Sequence, residues 1–385
     1  MRTIGLFSGS GSLEAGLEAG GHECRMLCEV SPSARRVLAS RFPGVPVEHD
    51  VTALRVLPEA DLLAAGFPCQ DLSLSGGKAG LDGARSGLVH EIFRLIDANP
   101  VPNVLLENVP NLVRMRGGRW VAALADAFED RGYRWAYRIV DARCALPQRR
   151  ERFFMLASRT MDPSQVLFAG DVPAPALPFA LGRDPAGFYW TRGASGLGWA
   201  PHCTPPIQGG SAKGIPSGPA VLLPDGRVVK VGLRDAERLQ GMRVGETEAA
   251  GGEEHRWRIV GNAVALPVAE WIGRRLASPG LAQPPSTVPF GSLVGSWPTA
   301  ACGGPRGGRH RAAIGTLPFW RPRERLEAYL PDAEPLSPRA TRGFLARAAR
   351  GRMNFVPGFL DAVWSHLVAV ERSAGGGADL FGAAA

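Results

Sequence analysis

The stretch Thr3-Ile4-Gly5-Leu6-Phe7-Ser8-Gly9-Ser10-Gly11-Ser12-Leu13-Glu14-Ala15-Gly16 carries the decision about the fold. An apolar strand runs straight into a glycine turn, and a helical stretch follows at once. Glycines between a strand and a helix let the backbone approach a ligand closely at the helix N-terminus. The spacing departs from the GxGxxG dinucleotide fingerprint because residue 14 is Glu. A plain tight turn fits the pattern as well as a nucleotide site does.

Outward from this turn, short apolar runs alternate with amphipathic stretches to about residue 158, the signature of a parallel α/β sheet. Strands are expected at 3–7, 24–28, 62–65, 103–106 and 152–156, with helices at 31–41, 86–98 and 119–131. The last helix carries Val121, Leu124, Ala125 and Phe128 at helical period, which gives it one buried face. The expected fold class is α/β: a doubly wound, mostly parallel sheet with helices on both faces. Past residue 160 the pattern degrades, with Pro and Gly clustered in 171–178, 201–206 and 209–219. Helical order returns at 233–242 and 264–276. The expected division is a first domain over 1–159, a small loop-rich region over 160–252 and a return segment over 253–276 that completes the first domain. A Pro/Gly-rich linker over 277–315, a basic helical extension over 316–373 and a disordered tail over 374–385 follow.

The 385 residues suit two or three domains, and 45% hydrophobic with 21% charged residues is an ordinary globular balance. No apolar run reaches the ~20 residues of a membrane helix. The chain opens on a strand and not on a signal peptide, so the expectation is a cytoplasmic protein without membrane contact. The six cysteines (Cys24, Cys28, Cys69, Cys144, Cys203 and Cys302) form no CxxC pair, so neither a disulfide scaffold nor a metal is expected. The net charge is +8, and only Lys78, Lys213 and Lys230 among the 44 basic residues are lysine. A GC-rich genome favours Arg codons, while the planar Arg fork also suits phosphates and base edges. Composition alone does not choose between these.

Glu29 ends the second strand, where a carboxylate commonly takes ribose hydroxyls, and Asp50 follows the next apolar stretch. With the glycine turn they point to an adenosine-containing cofactor, unrelated surface carboxylates being the other reading. The segment Gly66-Phe67-Pro68-Cys69-Gln70-Asp71-Leu72-Ser73 follows a buried strand, which puts Cys69 in a loop at the carboxyl edge of the sheet. A thiolate there is a nucleophile of tunable pKa. Glu107-Asn108-Val109 also follows a strand, and Gln148-Arg149-Arg150-Glu151-Arg152 precedes another.

In these blocks, together with Arg234–Met242 and Gly261-Asn262-Ala263-Val264, the chain resembles the DNA cytosine-5 methyltransferase family. Six blocks stand in the family's order at compatible spacings. The resemblance implies methyl transfer from S-adenosylmethionine, leaving S-adenosylhomocysteine, to C5 of a cytosine flipped out of double-stranded DNA. Cys69 would add to C6, Glu107 would protonate N3 and read the exocyclic amine, Arg152 would bind O2, and Arg150 would steady the loop or a phosphate. Phe7, Gly9, Gly11, Glu29, Asp50, Val51, Asn262 and Val264 would hold the cofactor. Gln70, Ser73, Gln148, Arg234 and Arg238 would contact DNA, and residues 160–252 would form the target-recognition region of an enzyme expected to be monomeric. A restriction-modification or related bacterial defence system is the expected setting.

Two departures stand in the first block: Gly5 where the family usually has Asp, and Ser12 where a second Gly is common. The extension after Leu276 has no counterpart in compact members. Residues 301–385 hold 12 Arg against 7 Asp and Glu, which fits supplementary contact with DNA phosphates. A solvated basic helix packing on the catalytic domain through Phe344, Leu345, Phe359 and Trp364 fits equally. Alternative functions are an RNA cytosine-5 methyltransferase of the same family and a non-catalytic DNA-binding regulatory subunit.

Overall fold

The computed structural model describes residues 1–68, 87–192, 196–209, 218–280, 285–290, 297–351 and 354–375. β1 (Arg2–Leu6), α1 (Ser12–Ala19), β2 (Glu23–Cys28), α2 (Pro32–Arg41) and β3 (Val47–Glu48) lead the chain. β4 (Leu62–Gly66), α3 (Gly87–Ala98), β5 (Asn103–Asn108), α4 (Arg119–Asp130), β6 (Arg134–Asp141) and β7 (Glu151–Ser158) follow. Ser31 starts α2 by accepting a hydrogen bond from the Ala34 N–H, with Pro32 in the first turn where its missing N–H costs nothing.

Strands β3-β2-β1-β4-β5 are parallel neighbours in that order. Chain order reverses between β1 and β4, the switch point beyond whose carboxyl ends open α/β sheets bind ligands. Past β5 the pairing turns antiparallel through β7 and β6, so the sheet is mixed: a parallel half carries an antiparallel half. Side chains alternate between faces with period two. Ile4, Leu63, Ala65, Val104 and Leu106 pack beneath α3 and α4, while Leu62, Ala64 and Leu105 point to the opposite layer.

That opposite layer includes a segment from far along the chain. After α5 (Ser164–Leu167) come β8 (Ala186–Phe188), β9 (Ala200–Pro201), β10 (Ala220–Leu222), β11 (Val228–Lys230), α6 (Leu233–Leu239), α7 (Glu253–Asn262) and α8 (Leu266–Ala277). Helix α8 returns to lie against α1 at very short range. A Cβ on Gly16 would overlap Ala269, and one on Gly20 would overlap the backbone at Gly273.

The C-terminal third departs from the sequence expectation. Residues 277–315, read as a linker, carry β12 (Thr287–Pro289), β13 (Ala300–Gly304) and β14 (Gly308–Ala312). β13 pairs antiparallel with β6 and so lengthens the main sheet. Its alanines and glycines suit the place: a Cβ on Gly303 would press on the Trp135 ring. The short, glycine-rich strands hid this pairing from a reading of hydrophobic period. β15 (Glu334–Pro335), α9 (Pro338–Arg350) and α10 (Phe359–Gly375) complete the described chain.

The later part of the region 160–252 and the helices of the extension form one body, while 161–172 and 317–320 pack on the main sheet. A second sheet runs β15-β11-β10-β8-β9, antiparallel throughout. One of its faces, with Val221 and Val229, packs on α6 and α7 through Leu239, Trp257 and Val260. The other face, with Phe188, Leu222 and Val228, packs on Phe344 of α9 and on Phe359 and Val363 of α10. His366 stitches α10 across β11: Nδ1 accepts from the Val228 N–H at 3.2 Å and Nε2 donates to the Leu336 carbonyl at 3.0 Å. The basic helices therefore pack on the small sheet instead of the main one. Trp364, expected as a packing residue, is 59% exposed. No described helix is long and apolar enough to cross a membrane.

Candidate active site

The carboxyl ends of β1, β2, β4 and β5 surround a cavity of about 520 Å³. The turn after β1 enters it with left-handed backbone at Phe7 (φ 57°), Gly9 (φ 55°) and Gly11 (φ 71°). Gly11 heads α1, and a Cβ there would run into Leu38 and Phe42. Phe7 is the costly member, since a bulky side chain rarely adopts this conformation. The turn is held by Glu29: Gly9 N–H donates to its Oε2 at 2.9 Å and Ser31 N–H to its Oε1 at 2.8 Å. Each carboxylate oxygen keeps acceptor capacity for a hydroxyl. Asp50 is fixed in turn by the Thr52 N–H and hydroxyl, which hold its carboxyl below the usual range.

Glu107, near the end of β5, and Arg152, at the start of β7, meet on the other side of the cavity. Antiparallel pairing sets Glu107 opposite Phe154 and Asn108 opposite Phe153, so Arg152 emerges at the same sheet edge. Arg152 Nε lies 3.0 Å from Glu107 Oε1. Burial pushes the Glu107 carboxyl above its ordinary value, opposed by the charges of Arg152 and Arg150. Asn108 donates from Nδ2 to the Phe67 carbonyl at 3.0 Å, which ties the segment Gly66-Phe67-Pro68 to β5.

Phe7, Gly9, Glu29, Asp50, Val51, Glu107, Arg152, Asn262 and Val264 all line this one cavity. Gly11 shapes the turn from behind. Cys69, Gln70 and Ser73 lie outside the described residues.

Four candidates sit elsewhere. Gln148 is fully buried; it donates to the Leu239 carbonyl and accepts from the Ile207 N–H, which leaves nothing to offer DNA. Arg150 is buried too, donating to the carbonyls of Ile207, Gly261 and Ala263. Burial, with the Arg152 charge beside it, pulls its guanidinium well below its usual value. It holds the return segment to the sheet and reaches no phosphate. Arg238 pairs with Asp235 at 2.9 Å and with Asp332 at 2.5 Å, and Arg234 approaches Asp332 at 3.6 Å. Arg238 thereby binds the extension to α6, while Arg234 stays more than half exposed beside Asp332.

Sequence reasoning gave no role to Asn108 or Glu14, both in the cavity lining. A carboxylate on a helix beside a glycine turn was the available signal for Glu14. Among the described residues no cluster of His, Cys, Asp and Glu could hold a metal ion.

Comparison with known proteins gives consistent results. Residues 1–177 match the family model for C-5 cytosine-specific DNA methylase. The Type II methyltransferase M2.BsuMI of Bacillus subtilis (strain 168) is 43% identical over 94% of this chain and 97% of its own length. The Type II methyltransferase M.MspI of Moraxella sp is 35% identical over 40% of this chain and 38% of its own. The crystal structure of S. pombe Dnmt2 methyltransferase superposes with a TM-score of 0.55 at 14% identity, covering 72% of this chain and 98% of that one. At that identity the likeness is one of fold.

Proposed function

The chain belongs to the C-5 cytosine-specific DNA methylase family and is a DNA cytosine-5 methyltransferase; on that premise we propose that Cys69, Glu107 and Arg152 carry the chemistry, with S-adenosylmethionine as methyl donor. The observation that carries this assignment is the buried Glu107–Arg152 pair at 3.0 Å, lining the same cavity as Glu29 and Asn262. A carboxyl and a guanidinium side by side match the N3 and O2 edge of a cytosine.

Position C5 of cytosine is too weak a nucleophile to take a methyl group unaided. The Cys69 thiolate adds to C6, forming an S–C6 bond as the C5=C6 electron pair shifts through the ring toward N3. Glu107, whose carboxyl burial pushes up against the opposing charge of Arg152, donates a proton to N3 and accepts from the exocyclic amine, which selects cytosine over thymine. Arg152 donates to O2. When bound, the cofactor supplies the electrophilic methyl group that C5 acquires. Loss of the C5 proton to water then restores the C5=C6 bond, expels the Cys69 thiolate and returns the N3 proton to Glu107.

The cavity fits this cofactor: Glu29 takes the ribose hydroxyls, Asp50 and Val51 face the adenine edge, and Asn262 and Val264 close the far wall. Gln70 and Ser73, next to the nucleophile, meet the opened strand. The small sheet with its C-terminal helices recognises the duplex. The Type II class of M2.BsuMI is carried over here, as methylation of a specific duplex sequence by a monomeric cytoplasmic enzyme in a restriction-modification system.

A duplex containing 5-fluorocytosine tests the scheme, because fluorine at C5 cannot leave as a proton and the adduct persists. Wild-type protein with S-adenosylmethionine is expected to form a denaturation-resistant adduct, and Cys69→Ser is not. An active enzyme that forms no adduct overturns the covalent route. Bisulfite sequencing of DNA from expressing cells reads activity and sequence context together.

A further inference from the structure

The scheme above does not use Glu14. This carboxylate lies in the first turn of α1, is only 1% exposed, and lines the cavity behind the glycine turn. Its Oε2 has no hydrogen-bond partner. Its position depends on residue 5: a Cβ on Gly5 would overlap Glu14 Oε1 and come within 2.8 Å of its Cγ. The missing side chain of the strand is thus the space that the helix carboxylate fills.

An unpartnered buried carboxylate oxygen is unfavourable and is stable only if something answers it. Burial raises the Glu14 carboxyl to about 7. Arg41 on α2 opposes that rise, but its guanidinium is committed to Glu246 at 3.2 Å and to the Ser10 carbonyl and Ser12 hydroxyl. The backbone N–H of Glu14 itself and the neighbouring Ser8 hydroxyl oppose the rise more than Arg41 does, yet both Ser8 Oγ and Glu14 Oε2 are left without a hydrogen bond of normal geometry. Glu29 adds to the rise from the end of β2. Glu18 stands one turn along α1, and Cys24 on β2 faces the carboxyl as a thiol whose own value is pushed up to about 12. None of these neighbours donates a hydrogen bond to Oε2. The other carboxylates on this side of the cavity, Glu29 and Asp50, are already held by backbone donors.

We propose that Glu14 Oε2 receives the α-ammonium group of the cofactor's amino-acid arm, and that Gly5 exists to make room for it. The inference rests on the cofactor reading of the cavity. An ammonium supplies both the charge and the N–H donor that a lone carboxylate oxygen lacks. The sulfonium has no N–H, and its methyl group has to face the cytosine.

Two probes separate this role from a structural one. S-Adenosylhomocysteine carries the amino-acid arm; 5′-methylthioadenosine keeps the adenosine and the thioether and lacks that arm. Calorimetric titration of the full-length protein between pH 6 and pH 8 is expected to tighten S-adenosylhomocysteine binding about tenfold, as the ionised fraction of an acid near 7 rises, and to leave 5′-methylthioadenosine unchanged. Glu14→Gln is expected to weaken S-adenosylhomocysteine about tenfold or more at pH 8, to flatten its pH profile and to spare 5′-methylthioadenosine. Equal weakening of both probes, or an unchanged S-adenosylhomocysteine profile, overturns the proposal. Wild-type protein that binds neither probe overturns the cofactor reading itself. Should Glu14→Gln not fold, Gly5→Ala displaces the carboxylate and is expected to give the same selective loss; full retention of S-adenosylhomocysteine binding refutes the idea.

Discussion

Replacing Phe359 with alanine tests whether the C-terminal helices belong to the recognition body. The ring is fully buried and meets Phe188 of β8 at 5.2 Å, Trp199 at 5.0 Å, Phe355 at 5.7 Å and Phe344 of α9 at 6.1 Å between centroids. Truncating a fully buried Phe costs about 3–5 kcal/mol, because the lost transfer energy is joined by a cavity that rigid neighbours fill poorly. Two of those neighbours are on α9 and α10 or the turn between them, and two are in the region 160–252, so the cavity lies in the seam. With a urea dependence of roughly 2 kcal/mol per molar, the unfolding midpoint of this body falls by about 2 M. Trp364→Ala on the exposed face of α10 is the matched control and stays within about 0.5 kcal/mol. No described residue of α9 or α10 lines the cavity at the carboxyl edge of the main sheet. Phe359→Ala is therefore expected to lose DNA affinity in a fluorescence anisotropy titration while holding S-adenosylhomocysteine affinity within twofold. Equal urea midpoints for the two variants would refute the packing argument.

Other perturbations address the site. The Glu14 carboxyl, at about 7 in the fold against an ordinary 4.5, stabilises the fold while protonated. That contribution is whole below about 4.5 and lost as pH rises through about 7, a difference on the order of 3 kcal/mol. Without cofactor, Glu14→Gln should accordingly be the more stable protein at pH 8 and no different at pH 4, by urea midpoints; a constant difference at both would sink the assignment. Burial pushes the thiols of Cys24, Cys28 and Cys144 up to about 12, that of Cys302 to about 11 and that of Cys203 above its ordinary value, so iodoacetamide at pH 8 is expected to label the native protein at Cys69. A peptide map with adducts on Cys24 or Cys28 would contradict this. Asn108→Ala unpairs the buried Phe67 carbonyl at a cost of about 1–3 kcal/mol; kcat should fall while S-adenosylhomocysteine affinity holds, and an unchanged kcat would remove Asn108 from the positioning of that loop.

Four of the five parallel strands, β1, β2, β4 and β5, were legible as short apolar runs, two of them ending beside a carboxylate, Glu29 or Glu107, whereas the two-residue β3 is too short to leave a pattern. Those endings also marked the cavity, since parallel strands deliver their carboxyl ends to one edge. Gln148 and Arg150 show what a motif leaves open: Gln148 is buried on backbone partners, and Arg150, expected to steady a loop or a phosphate, holds backbone carbonyls of the return segment. A motif gives residue types, and an arginine that satisfies three backbone carbonyls has the same letter as one that grips a phosphate. The ion pairs of Arg234 and Arg238 with Asp332 could not be read from sequence, since that partner lies about a hundred positions away. The C-terminal helices could not be placed because amphipathicity shows that a face is buried but not against what. One clue was present: Ala220-Val221-Leu222 is apolar at every position, which an antiparallel strand needs only when both faces are covered.

The seating of α9 and α10 on the small sheet bears on exchanging specificity between relatives. The layer proposed to read DNA is written in two places, with the return segment 253–276 and strands β12 to β14 between them. A chimera that transplants residues 160–252 alone would set a foreign Phe188, Leu222 and Val228 against the host's Phe344 and Phe359. Such a graft inherits a mismatched seam whatever its recognition loops encode. If the small sheet reads DNA as proposed, a graft that keeps this seam intact has to carry both segments, 160–252 and the C-terminal helices, together.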